Sequence, residues 1–209
     1  MRESLAVTRG EFLKGGGGYP PLFFERLLPE DVACLRRQMQ DRRFDSKVVF
    51  ALSRRCPWGA PLVVLCVPFR RGVPFPTTFW LTCPSLRERC SQEESRQGVP
   101  SLEAFLRGWH PQWVAYHLRS SLIRLALLSE GARRFTLIHR PAAFASLRKG
   151  GVGGTRLGSA PTVKCLHLQV ASWLALGEHP GEAWLRERFP LVSCSSPDLF
   201  PCLGEKRHG

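Results

Sequence analysis

Three apolar runs pattern the first half of the chain. From Lys47 to Ser53, Val48, Phe50 and Leu52 fall on one face, the period of two that a half-buried strand shows. Leu62 to Val67 is apolar throughout, as in a central strand covered on both sides. Thr77 to Cys83 alternates again, with Phe79, Leu81 and Cys83 in phase. Cys56-Pro57-Trp58-Gly59 and Arg70-Arg71-Gly72 separate the runs as turns, which predicts an antiparallel meander. Its first and third strands run the same way, so Cys56 and Cys83 finish at one edge, roughly 10 Å apart at the backbone. That distance is beyond disulfide reach, and a shared metal requires the loops to fold inward.

The second half reads as helical. In the first half, ahead of the strands, Pro29-Glu30-Asp31 also opens a short helix through about Gln40, with acidic residues near its N-terminus. Ser101 to Arg107 is a short segment. His110-Pro111 begins a longer helix whose apolar stripe is Val114, Leu118, Leu122, Leu125 and Leu128, with Gly131 after its end. Pro141 to Arg148 is another helix, followed by a glycine-rich loop from Gly150 to Gly158. Thr162 is the expected cap of a helix carrying Val163, Leu166, Val170 and Leu174, which Gly177 and Pro180 stop. Glu182 to Phe189 is a last short helix. Residues 1–22, with Gly15 to Gly18 and Pro20-Pro21, read as a flexible lead-in, and residues 191–209 as an irregular tail. The expected fold is one α+β domain over residues 23–190: a small antiparallel meander from the N-terminal half packed against helices from the C-terminal half.

Composition narrows the class. The longest apolar run, Pro61 to Phe69, is strand-sized, far short of the roughly 20 residues of a membrane span. The N-terminus lacks the basic, apolar and small-residue succession of a signal peptide, so a cytoplasmic protein is expected. Eight cysteines are irregularly spaced with no CxxC pair, which predicts reduced thiols rather than a disulfide framework. The net charge of +13 suggests an anionic partner: a phosphorylated small molecule, RNA, DNA or a membrane surface. The basic residues are nearly all arginine and spread along the chain, which is also what composition alone produces.

Three sequence blocks carry a resemblance. Arg55-Cys56-Pro57-Trp58-Gly59-Ala60-Pro61, then Pro74 to Pro84 (PFPTTFWLTCP), then Val163-Lys164-Cys165-Leu166-His167 occur in this order, with Gly150-Gly151-Val152-Gly153-Gly154 ahead of the last. Together they resemble the bacterial family called domain of unknown function 501, over about residues 30–190. The resemblance implies no established activity. It implies association with cell-division proteins through gene neighbourhood alone. Where the family often has Asn-Pro-x-Gly after the last long helix, this chain reads His179-Pro180-Gly181-Glu182.

Chemistry concentrates at Lys164, Cys165 and His167, and three readings stay open. The favoured one is a binding module in which Gly151, Gly153 and Gly154 present backbone amides to an anion, flanked by Lys164 and Arg156. The loop is neither a Walker A motif nor a dinucleotide fingerprint. A second reading makes Cys165 a catalytic nucleophile, its thiol pKa lowered as the third residue of a helix capped by Thr162. The base would be His110, His117, His139 or His179, because His167 faces away from Cys165 on a helix. A third reading places zinc on Cys56, Cys83, Cys165 and His167. Helical geometry opposes it, since residues two apart point about 200° from each other. They meet one ion only if the segment is extended.

Overall fold

The computed structural model describes residues 9–13, 22–40, 45–196 and 202; the Gly15–Gly18 run lies outside them. In chain order the elements are β1 (Arg9–Leu13), β2 (Leu22–Glu25), α1 (Pro29–Gln38), β3 (Val49–Arg55), β4 (Pro61–Cys66), β5 (Phe69–Arg70), β6 (Val73–Pro74) and β7 (Phe79–Leu81). Helices follow: α2 (Pro84–Ser95), α3 (Gly98–Leu106), α4 (His110–Ala126), α5 (Glu130–His139), α6 (Pro141–Lys149), α7 (Leu166–Leu176) and α8 (Glu182–Arg188). The fold is α+β.

β4 is central because all its residues can be buried. Every one of them is. Val64 and Cys66 meet Leu35 of α1 on one face. Val63 and Leu65 join the main core on the other, with Leu166, Val170 and Leu174 of α7. Helices α2, α3, α4 and α8 add Leu86, Leu102, Trp113 and Leu185 to that core. The antiparallel sheet runs β1-β2-β3-β4-β7, so the expected meander gains two strands. β1 and β2 lie in and beside the stretch expected as a lead-in; they pair from Arg9↔Glu25, and Glu25 pairs with Leu52 of β3. β5 and β6 form a separate hairpin closed by Arg71 and Gly72.

Arg55 locks this edge together. Its guanidinium holds Asp31 through both carboxylate oxygens, at 2.6 and 2.9 Å, and Glu25 at 2.8 Å. β2, β3 and α1 are thereby joined by charge-assisted bonds that burial of Asp31 strengthens. β3 is bulged, with register shifts on both sides of Ala51-Leu52. Both of those residues are buried while Phe50 stays 40% exposed, so the simple alternation through Val48, Phe50 and Leu52 is broken.

The long helix α4 is turned from its expected face. Leu118 and Leu122 are exposed, and the buried face carries Trp113, Tyr116, His117, Ser120, Ile123 and Arg124. The polar members of that face are buried with partners. Tyr116 donates to Ser172 Oγ at 2.7 Å, and His117 Nδ1 accepts the Val152 N–H at 3.2 Å. An apolar stripe cannot find a face whose burial depends on hydrogen bonds. Among the described residues no helix is long and apolar enough to cross a membrane.

Candidate functional site

The start of α7 is set by tertiary contacts, not by Thr162. Val163 is buried and gives its N–H to Glu103 Oε1 at 2.8 Å, while Leu166 gives its N–H to Glu94 Oε1 at 2.6 Å. Two carboxylates from α3 and α2 thus hold residues 163–166, and the helix begins at Leu166 with Cys165 as its extended N-cap (φ −167°, ψ 158°). Glu94 lies in the last turn of α2, where its own helix dipole disfavours a carboxylate. It gains instead at the N-terminus of α7.

This cap overturns the geometry expected of Cys165 and His167. With Cys165 extended and His167 in the first turn, the two side chains converge. Donor atoms of Glu94, Cys165 and His167 all lie within 4.8 Å of one another. His167 Nδ1 is 3.0 Å from Glu94 Oε1, and its Nε2 is 3.0 Å from the Arg87 carbonyl. The carbonyl only accepts, so Nε2 carries a proton and Nδ1 faces the carboxylate.

Cys165 itself is not the activated thiol expected of a third helical residue. Burial raises its pKa, and the Glu94 charge adds to the rise. The backbone N–H groups of Leu168 and His167 and the charge of Lys164 oppose this without reversing it. The four-residue zinc set also separates. Cys83 is the N-cap of α2, and Glu94 stands three turns further along it, about 16 Å at the helical rise. Cys56 packs instead with Cys34, Ala60 and Cys202.

Beside the trio a cleft of about 270 Å³ opens between β7 and α7, lined among others by Thr77, Trp80, Arg87, Lys164, Cys165 and His167. A second cleft of about 320 Å³ lies around Arg54, Trp173, Arg186 and Phe189, remote from these donors. Lys164 is exposed and reaches Gly153 O at 3.4 Å.

The glycine loop is built differently from an anion cradle. Five of its amides are already donated: Gly150 to Ser146 O, Gly151 to Thr155 O, Val152 to His117, Gly154 to Gly151 O and Thr155 to Val152 O. Its carbonyls converge on a cation. Arg124, 1% exposed, donates to Gly151 O at 2.6 Å, to Leu147 O at 3.1 Å and to Gly150 O. The glycines permit close packing, since a Cβ on Gly151 would overlap His117, and one on Gly153 (φ +64°) would overlap Leu168. Gly154 lies against Pro76, and Arg156 is exposed. Gly151→Ala is accordingly expected to cost about 1–3 kcal/mol as an overpacking change. An unchanged urea midpoint would contradict that contact.

Sequence reasoning missed Glu94, Glu103 and Arg124. Glu94 sits in the polar stretch Glu88 to Gln97, where no apolar period marks a helix, and nothing local ties it to residue 166.

A family model described as protein of unknown function (DUF501) matches residues 52–187, a stretch that contains the whole donor trio. No curated protein and no solved structure matches the chain significantly.

Proposed function

The chain belongs to the DUF501 family, whose description names no function, and we propose from its own residues that it is a metal-dependent binding protein. Glu94, Cys165 and His167 hold a divalent ion of the zinc class, and the adjoining cleft takes a phosphorylated small molecule. The convergence of the three donors within 4.8 Å carries this reading. Sulfur, imidazole nitrogen and carboxylate oxygen together suit zinc better than magnesium or calcium. The bond from His167 Nε2 to Arg87 O is the outer contact that orients a ligating imidazole with its other nitrogen toward the ion.

Three protein donors leave a fourth position for water or ligand, the arrangement of reactive rather than purely structural zinc sites. A thiolate and a carboxylate neutralise the ion, so the added charge of Lys164 makes the cleft favour an anion. Its volume suits a small molecule better than a nucleic-acid strand. The raised Cys165 pKa is compatible with this role, because a coordinating ion replaces the thiol proton. It counts against the alternative, a free thiolate nucleophile.

The test is the native mass and metal content of the untagged protein. The expected result is an ion that Cys165→Ser and His167→Ala each remove. Lys164→Ala should keep the ion and weaken phosphate retention by about tenfold, the size of one exposed charge contact strengthened at a metal. Zinc binding unaffected by Cys165→Ser and His167→Ala would overturn the reading.

A further inference from the structure

Helix α5 is packed inside out. Its one buried position is Thr136, whose hydroxyl is shared between the carbonyls of Ala132 and Arg133 at 2.8 and 3.0 Å. Phe135, Leu137 and Ile138 are 44, 49 and 62% exposed, whereas a surface helix ordinarily turns its apolar stripe to the core. The segment is nonetheless well held as a helix. Ser129 Oγ caps it by accepting the Ala132 N–H at 3.2 Å, with Glu130 in the first turn and His139 in the last. At about 100° per residue, Arg134, Leu137 and Ile138 fall together on the side opposite Ala132 and Thr136.

The β5–β6 hairpin extends this face on one side. Phe69 meets Phe135 with ring centroids 6.3 Å apart, and a Cβ on Gly72 at the hairpin turn would stand 4.0 Å from the Arg140 guanidinium. Val73 beside that turn is 62% exposed, and Arg71 is exposed as well. The apolar tips of Val73, Leu137 and Ile138 thus lie among Arg71, Arg134 and Arg140. Charge is concentrated in this part of the chain: residues 104–177 carry ten arginines and lysines against one acidic residue, Glu130. Arg70 is paired with Asp45 at 2.7 Å. The exposed Arg133, Arg134 and Arg140 have no acidic partner among the described residues.

We propose that α5 and the β5–β6 hairpin seat the protein on an anionic lipid surface. Leu137, Ile138 and Val73 enter the boundary between headgroups and acyl chains, and the arginines meet the lipid phosphates. Interfacial helices combine apolar tips with basic residues in this way. Arginine stems lie along apolar side chains while the guanidinium stays at phosphate level. With ten residues α5 is about 15 Å long, enough to lie in the surface and far too short to cross it. Nucleic acid suits this face less well, because its outermost side chains are aliphatic and offer no ring for base stacking. A specific protein groove also suits it less. Beyond its arginines, Glu130 and His139, the exposed residues of α5 offer no side-chain group for the directional hydrogen bonds of such an interface. A fluid anionic surface asks for neither. None of these residues lines the cleft beside Glu94, so the lipid face is independent of the zinc reading.

Co-sedimentation of the full chain with vesicles tests this, comparing pure phosphatidylcholine with an equal mixture of phosphatidylcholine and phosphatidylglycerol. The protein is expected on the anionic vesicles and not on the neutral ones, with retention falling as salt is raised. Arg134→Gln and Arg140→Gln should each weaken binding about fivefold, the worth of one arginine at such a surface. Leu137→Ser and Ile138→Ser together should weaken it about tenfold or more, as apolar burial in the interface is lost. All four positions are exposed, so urea midpoints should match the wild type and separate lost binding from lost folding. Equal sedimentation with both vesicle types, sedimentation with neither, or anionic binding unchanged in the serine pair would overturn the proposal. Retention on polyuridine RNA without vesicle binding would also overturn it and reassign the face to nucleic acid. A native-mass dimer that the serine pair splits, again without vesicle binding, would reassign it to a second copy of the chain.

Discussion

Replacing Arg124 with methionine should leave the protein unfolded or molten at room temperature. The guanidinium is buried under the glycine loop, and its partners there are carbonyl oxygens: Leu147, Gly150 and Gly151. Burial lowers its pKa to about 10, so it stays charged at neutral pH and keeps its donors. Methionine fills much of the volume but donates nothing. Leu147 O and Gly150 O would each be left unpaired at about 1–3 kcal/mol, while Gly151 O keeps the Gly154 N–H. The sum is comparable to the lower end of a typical domain's stability. Arg124→Lys should rescue little, because a point ammonium cannot span the fork. Circular dichroism and urea unfolding decide the matter. A variant with a near-wild-type midpoint would mean that the loop holds its shape by its own backbone bonds.

Acid should destabilise the protein well before its carboxylates titrate. Burial holds His117 at about 4 and His179 at about 3, with the charge of Arg124 adding to the first shift and that of His117 to the second. Both are bonded as neutral rings: His117 Nδ1 accepts from Val152 N–H, and His179 Nδ1 accepts from Gly181 N–H at 2.8 Å. In the unfolded chain each titrates near 6.5. Between there and the folded values the unfolded state binds more protons, so stability falls as pH falls. By pH 5 the loss is about 2 kcal/mol for each histidine. Urea midpoints at pH 7 and pH 5 measure it, and His179→Gln should flatten the dependence by about half. Equal midpoints at the two pH values would show that the rings are hydrated and charge freely.

Where burial follows apolar content, the sequence is legible. Leu62 to Val67 announces the central strand, and Leu166, Val170 and Leu174 announce the inner face of α7. Where burial follows hydrogen bonding, it is not. α4 turns Leu118 outward and Arg124 inward because Arg124 has carbonyls to meet, and those carbonyls belong to residues far along the chain. α2 carries Arg, Glu, Ser and Gln through most of its length, with only Ser85, Leu86, Arg87 and Cys90 buried. The corner at Lys164, Cys165 and His167 was visible, but its geometry was not. Its capping carboxylates stand 60 and 72 residues away, beyond any local rule for helix starts. A shift of the cap from Thr162 to Cys165 changes two side chains from opposed to convergent.

The cap formed by Glu94 has one more consequence. Because that carboxylate already accepts the Leu166 N–H, the start of α7 is supported by the protein alone. Nothing at the trio has to be filled for the chain to reach its shape. If the trio holds the ion proposed above, stripping it should therefore leave the helix content of the protein unchanged by circular dichroism, because binding would be uncoupled from folding.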